Sequence, residues 1–311
     1  VDVAYVGSVS RHLQQQRNIN QIPYRARHPD VNPQNANPVV ANTALPDDFL
    51  RPYPGYGNIT YYENGGTSNY NALQAAVNRR FTRGLQFGVA YTWSKTMDYS
   101  DGDRDAVANY RPLRIWNYGR AGFDQTHIFV LNYTWDLPRA TRLWDNVVVK
   151  ALFDNWQVSG ITAFVSGTPS GIGFSTVDNA DIAGGGDGAR VVIAGNPILG
   201  RGDRSFNRWF DTSVFRRPAR GDFGNAPKDV IRLPGTNNWD ISLFKNIPLK
   251  SERTYFQLRW ELYNAFNHTQ FSGVDTTARF DAAGNQVSTS FGRMTAAREP
   301  RYMQLSLRLT F

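Results

Sequence analysis

Apolar and polar residues alternate along eight stretches of this chain. In "RYMQLSLRLTF" (301–311), Met303, Leu305, Leu307, Leu309 and Phe311 fall on one side. Tyr302, Gln304, Ser306, Arg308 and Thr310 fall on the other. "GLQFGVAYTWSK" (84–95) sets Leu85, Phe87, Val89, Tyr91 and Trp93 against Gln86, Gly88, Ala90, Thr92 and Ser94. "TYFQLRWELY" (254–263) sets Phe256, Leu258, Trp260 and Leu262 against Gln257, Arg259 and Glu261. The same pattern runs through 1–7, 72–81, 127–135, 156–164 and 239–247. A period of two is the signature of a strand with one apolar face, and no comparable stretch has a helical period.

The links between these strands alternate in length. "TRG" and "LKSE" predict tight turns, and "LPRATRLWDN" a middle-sized link. The other four links are long, roughly 60, 26, 70 and 33 residues, beyond what compact soluble domains ordinarily carry. They are rich in Gly, Pro, Asn and Asp, which is loop composition. Strict alternation of short and long links is the plan of an outer-membrane barrel, with short turns inside and long loops outside. Counting back from a periplasmic C-terminus puts every short link on one side and every long link on the other. The apolar faces then meet lipid and the polar faces a wet lumen. Backbone groups in lipid must all be paired, so such a sheet has to close. An edge strand of a soluble sandwich alternates too. That reading explains neither the loop lengths nor the aromatics at strand ends (Tyr91, Trp93, Tyr133, Trp135, Trp156), which fit interfacial girdles.

Composition sharpens this picture. Aromatics make up 14% of the 311 residues, yet mean hydropathy is −0.47, as expected of many short alternating segments. No run approaches the roughly 18 apolar residues of a spanning helix. The net charge of +8 comes from 34 scattered Lys and Arg. It suits a surface facing phosphorylated lipid better than nucleic acid. The absence of cysteine excludes disulfides and thiolate metal sites. The opening "VDVAYVGSVS" has no signal-peptide pattern and starts inside an alternating segment, as expected of an excerpt from a longer protein.

Several blocks also resemble a known family. "VAYVGSVSRHL", "YNALQAAVNRRFTRGLQFGVAYTWSKTMD", "FDQTHIFVLNYTWDLP", "WQVSGITAFVSGTP", "RWFDTSVFRRPARGDFGNAPKDVIRLPG" and "NWDISLFKNIPL" with "FQLRWELYNAFNHTQF" look like the barrel of Oar-like TonB-dependent outer-membrane receptors, in family order. The resemblance implies an all-β, antiparallel transmembrane barrel of twenty-two strands, of which residues 1–311 supply about eight at the C-terminal end. It implies a Gram-negative outer-membrane location. A plug, a signal peptide and a coupling box for the TonB complex would lie in a missing N-terminal part. The expected partners are outer-membrane lipid and lipopolysaccharide, the barrel-assembly machinery through the C-terminal strand with Phe311 as its signal, and the TonB complex. Two readings stand beside transport: a structural or adhesive outer-membrane protein, and a secreted carbohydrate-binding sandwich.

The chemistry expected of the side chains is binding. No nucleophile or acid–base pair is set at usable spacing, so no enzyme and no cofactor is expected. "DYSDGDRD" bunches Asp98, Asp101, Asp103 and Asp105, weak candidates for calcium that lack a bidentate Glu. "GGGDGA" (184–189) imitates a dinucleotide fingerprint but has no following helix, so it reads as a flexible loop. Asp240, Arg259, Glu261 and Arg308 fall on lumen-facing positions of three consecutive strands, where opposite charges can pair across the sheet or touch cargo. In the loop at about 166–236, Trp209, Phe210 and Phe215 can build a local core or stack on a ligand.

Overall fold

The computed structural model describes residues 1–251 and 254–311. Eight long strands form one antiparallel sheet in chain order. They are β1 (Asp2–Asn18), β2 (Thr60–Thr82), β3 (Leu85–Asp98), β4 (His127–Asp136), β5 (Trp156–Val165), β6 (Thr236–Ser251), β7 (Thr254–Tyr263) and β8 (Tyr302–Thr310). Each strand pairs with the next, while β1 and β8 are the edges. The β2–β3 turn places Arg83 at φ 53° and Gly84 at φ 80°, the two left-handed positions that match a hairpin turn to strand twist. The expected "LKSE" turn includes Glu252, which lies outside the described residues.

Register carries one apolar face across all eight strands. Partnered residues in an antiparallel pair share a face. Leu307 is opposite Leu258, and Leu305 opposite Trp260. Trp260 is opposite Leu243, Leu243 opposite Val158, Val158 opposite Trp135 and Trp135 opposite Leu85. Val89, Val77, Leu73 and Tyr5 continue the face to β1. Gln86, Arg259, Glu261 and Arg308 fall on the opposite face, as the alternation requires.

Aromatic rings bound the apolar face at both ends. At the long-loop end Tyr91 hydrogen-bonds His127 Nδ1 at 2.8 Å. Phe129, Phe164, Trp239 and Phe266 form a chain of ring contacts 5.5–5.8 Å apart. Trp135 and Trp156 mark the short-turn end. Trp156 and Phe164 are eight steps apart on β5, about 26 Å along the strand and about 20 Å in height at a tilt of roughly 40°. That height spans most of the roughly 25 Å of an outer-membrane apolar band. Tyr133, expected in a girdle, instead lies mid-wall across Gly160, where a Cβ would come within 2.6 Å of its hydroxyl.

The largest differences from the sequence reading are in the first two strands; β6 is also longer, Thr236–Ser251 instead of 239–247. β1 and β2 were expected over 1–7 and 72–81 but pair from Asp2↔Ala76 to Asn18↔Thr60. The first long link therefore shrinks to 19–59. The added part, "SVSRHLQQQRN", has Val9 and Leu13 as its only apolar residues, too few for a readable alternation, while its backbone still pairs. Register shifts on either side of Leu13 mark bulges there, with His12 at φ 59°. Bulges of this kind are common at barrel rims.

Antiparallel alternation puts the links 19–59, 99–126, 166–235 and 264–301 at one end. The described short links, 83–84 and 137–155, lie at the other end. Among the described residues no helix is long and apolar enough to cross a membrane.

Candidate functional site: the cap over the long-loop end

The four long links fold against one another into a single cap. Its main core joins the third and fourth links: Phe210, Phe215, Phe280, Phe291, Ile231 and Val191 are all buried. Edge-on ring contacts link Phe210 to Phe291 at 5.1 Å and Phe215 to Phe291 at 5.5 Å. A parallel strand pair, Gly173–Thr176 with Thr277–Phe280, ties the two links together. A smaller core of Ile22, Ala26 and Leu50 organises the first link.

Buried ion pairs fasten the cap to the barrel rim. Asp124 is fully buried and accepts from Arg232 at 2.5 Å and from the Thr96 amide at 2.7 Å. Lys228 donates to Asp98 at 2.5 Å and to Asp101 at 3.0 Å. Removing one partner of a buried pair strands the other charge. In Arg232→Leu, however, Asp124 keeps the Thr96 amide and a longer contact to Arg120 at 3.5 Å, so the change is expected to cost the cap about 1–3 kcal/mol, read as a lower urea midpoint for its opening.

The calcium expectation is corrected by this geometry. The Lys228 ammonium occupies the space between Asp98 and Asp101 that a cation would need. Asp105 accepts from the Gly102 amide at 2.6 Å, and Asp103 lies beside Arg104 at 3.8 Å. No group of three or more metal-binding side chains forms among the described residues. Burial pushes the Asp101 carboxyl up, but the Gly122 amide and Lys228 outweigh it and hold it below the usual carboxylate range.

The glycine run is also not the flexible loop expected from composition. Gly184 and Gly185 are buried in a seam between the first three links. Gly184 has φ +63°, and a Cβ there would lie 2.7 Å from the His28 ring. A Cβ on Gly185 would lie 2.0 Å from the Tyr110 hydroxyl. The Arg25 and Arg27 amides donate to the Ala183 and Gly184 carbonyls at 3.0 and 2.9 Å. Glycine is used here for close approach of backbone to ring and backbone.

Two of the clefts in the cap exceed 600 Å³ among the described residues. The larger, about 860 Å³, draws its lining from the first, third and fourth links. Its charges are internally matched. Arg27 makes a two-pronged contact with Asp47, both arms at 2.8 Å, and reaches Asp181 at 3.0 Å. Arg217 holds Asp178 at 2.9 Å, and Arg220 holds Asp30 at 2.8 Å. The second cleft, about 660 Å³, is basic and aromatic, lined by Arg201, Arg204, Phe206, Trp209, Arg232 and Phe271 with no carboxylate. The Arg204 guanidinium lies 4.6 Å from the centre of the Trp209 ring. Such a cleft suits anionic or planar groups. Arg201, Arg204, Phe206 and Phe271 were missed in the sequence because no local pattern joins them.

The matched charges give the cap a defined acid response. The hydrogen bond from Arg27 holds the Asp47 carboxyl below the usual carboxylate range despite some burial, and the Arg217 hydrogen bond does the same for Asp178. Each carboxyl binds fewer protons folded than unfolded, so its contribution is complete at neutral pH. That contribution is lost as pH falls through the ordinary carboxylate value and on to the lower folded one. The urea midpoint of cap opening is expected to stay level from pH 7 to 5 and to drop below about pH 4.

The other sequence candidates are placed as follows. Phe210 and Phe215 are each 1% exposed and are core residues, so ligand stacking by these two is corrected. Trp209 is half-buried, donates from Nε1 to the Arg232 carbonyl at 2.6 Å and lines the basic cleft. Asp240, Arg259, Glu261 and Arg308 share the lumen face but form no cross-strand ladder. The neighbours of Arg259 across the sheet are Phe244 and Ser306, so it pairs along its own strand with Glu261 at 3.7 Å and covers the Phe244 ring at 4.8 Å. Asp240 accepts from the Asn264 amide at 3.0 Å. Arg308 lies opposite Gln257 with no carboxylate partner among the described residues. Phe311 follows the end of β8 and is 94% exposed.

An antiparallel wall with a lipid-type apolar face, aromatic girdles, short turns at one end and long folded loops at the other defines an outer-membrane β-barrel protein. Residues 1–304 match the family model described as "Outer membrane beta barrel domain", and the chain belongs to that family. It resides in the outer membrane, which overturns the secreted-sandwich reading. No curated protein matches the chain. Among solved structures, it is similar to the outer membrane transporter YddB from Escherichia coli, with a TM-score of 0.42 and 10% identity. That likeness covers 99% of this chain and 30% of that one, so the chain spans about a third of its length.

Proposed function

We propose that this chain is the C-terminal part of the barrel of a TonB-dependent receptor of the Oar-like kind. The full protein moves a large ligand across the outer membrane with energy delivered by the TonB complex. The observation that carries the reading is the cap: four long loops share buried cores and present two clefts, a built surface rather than loose connections. Loops held by a rigid scaffold are where recognition is placed. The ordered resemblance of six sequence blocks supports the TonB-dependent kind. The wall then contributes strands to a larger closed barrel, in which neighbouring strands pair with β1 and β8. The cap's role is binding, with no covalent chemistry assigned to it. The barrel-assembly machinery engages β8 and Phe311 during insertion.

The experiment is deletion of residues 168–233 in the full-length receptor, alongside inactivation of the TonB complex. Normal insertion with lost ligand binding after deletion, and lost transport with intact binding after TonB inactivation, is the expected pair. Binding lost on deletion but no transport to lose identifies the adhesive alternative. Unchanged binding after deletion removes the cap's third link from recognition.

A further inference from the structure

The short-turn end carries a feature that neither transport nor the cap uses. The link 137–155, between β4 and β5, contains a helix, Val147–Phe153, capped by Asn146, whose side chain accepts from the Val148 amide at 2.7 Å. The helix and the residues before it are strongly apolar and turned outward. Leu143, Trp144, Val147, Val148, Leu152 and Phe153 are all exposed, with Val147 83% exposed and Leu143 78%. A contiguous exposed set of this size marks an interaction surface.

Two contacts fix which side of the wall the helix occupies. Trp156 lies on the lipid face, in register with Lys245 and through it with Leu258. Its Nε1 donates to the Leu152 carbonyl at 2.8 Å. Lys245 shares that face, is 5% exposed, donates from Nζ to the Asp154 carbonyl and lies 5.5 Å from the Trp156 ring centre. The C-terminal end of the helix is thus tied to the lipid-facing side of the barrel at the girdle Trp156 marks. Its apolar residues continue the apolar belt. Arg139, Arg142 and Lys150 stand exposed beside them, with Asp145 as the exposed carboxylate of the segment, a net positive set matched in sign to phosphodiester headgroups.

We propose that residues 139–153 form an interfacial anchor that lies in the periplasmic leaflet of the outer membrane. Its apolar side chains enter the acyl-chain boundary, and its basic residues reach phospholipid headgroups. The proposal rests on the outer-membrane location and is independent of transport. An apolar segment flanked by basic residues at the membrane edge seats its apolar side chains at the headgroup–acyl boundary, with the basic groups at headgroup level. Continuity with the lipid belt favours lipid over a protein partner, which would have to share that belt.

The test uses the full-length protein in proteoliposomes of phosphatidylethanolamine and phosphatidylglycerol. This chain has no cysteine of its own, so nitroxide labels at Val148→Cys and Leu152→Cys are compared with Asp145→Cys. The expected result is that oxygen relaxes the labels at 148 and 152 more than a water-soluble nickel chelate does, with the order reversed at 145. Nickel dominance at all three positions would overturn the proposal by placing the helix in water. Low accessibility to both reagents at 148 and 152 would overturn it in favour of a protein partner. A label-free check is the loss of a component quenched by lipids brominated on the acyl chain when Trp144→Phe is introduced. An unchanged quenching profile would count against the anchor.

Discussion

Leu243→Arg will block stable insertion of the barrel, whereas Ser242→Arg will be tolerated. The two residues are adjacent on β6 but face opposite ways. Leu243 is in register with Val158 and Trp260 in the middle of the apolar face, between the girdles marked by Trp239 and Trp156. An arginine at the bilayer midplane of a barrel's lipid face costs about 2–4 kcal/mol. Ser242 is in register with Ser159 and Glu261 on the polar face, where an added guanidinium stays hydrated and gains a carboxylate neighbour. The measurement is heat-modifiable migration of the outer-membrane fraction, with a urea midpoint in lipid for whatever inserts. Equal behaviour of the two variants would refute the assignment of faces.

Phe210→Ala will unfold the cap and leave the barrel inserted. Phe210 is 1% exposed and touches Phe215 and Phe291 edge-on. It sits where the third and fourth links meet. Truncating a buried phenylalanine costs about 3–5 kcal/mol, since the neighbours do not collapse fully into the space. A cap of a few loops has little stability to spare against that loss. The expected outcome is rapid cleavage of links 166–235 and 264–301 by protease added to intact cells, with normal heat-modifiable migration. Trp209→Ala supplies the contrast. Its ring is half-buried and faces the basic cleft, so cleavage should rise much less while binding of an anionic or planar ligand falls. Protease resistance of Phe210→Ala equal to that of the unaltered protein would mean that the aromatic core does not hold the cap together.

The alternation of apolar and polar residues was enough to determine the wall. Lipid on one side and water on the other impose a period of two on every strand, and the constraint is local, so Leu258 and Arg259 declare their faces without knowledge of their partners. The order of short and long links followed from the same pattern. Tertiary structure decided what has no local period. The upper part of β1 has only Val9 and Leu13 as apolar residues, so only backbone pairing with β2 reveals it as strand. The helix over 147–153 is too short for a periodic signal, and its position on the lipid side depends on Trp156 and Lys245 from other parts of the wall. In the cap, the partners are far apart in sequence: Lys228 with Asp98, Arg232 with Asp124, Gly184 with His28. A run of aspartates then reads as a cation site, and a run of glycines as a flexible loop, until the lysine and the histidine ring that fill those spaces are brought in by the fold. The residues opposite the apolar face share one side of the wall, but their partners were not legible, because pairing of Arg259 depends on which residues the register sets beside it: Phe244 and Ser306 offer no charge, and Glu261 on its own strand does.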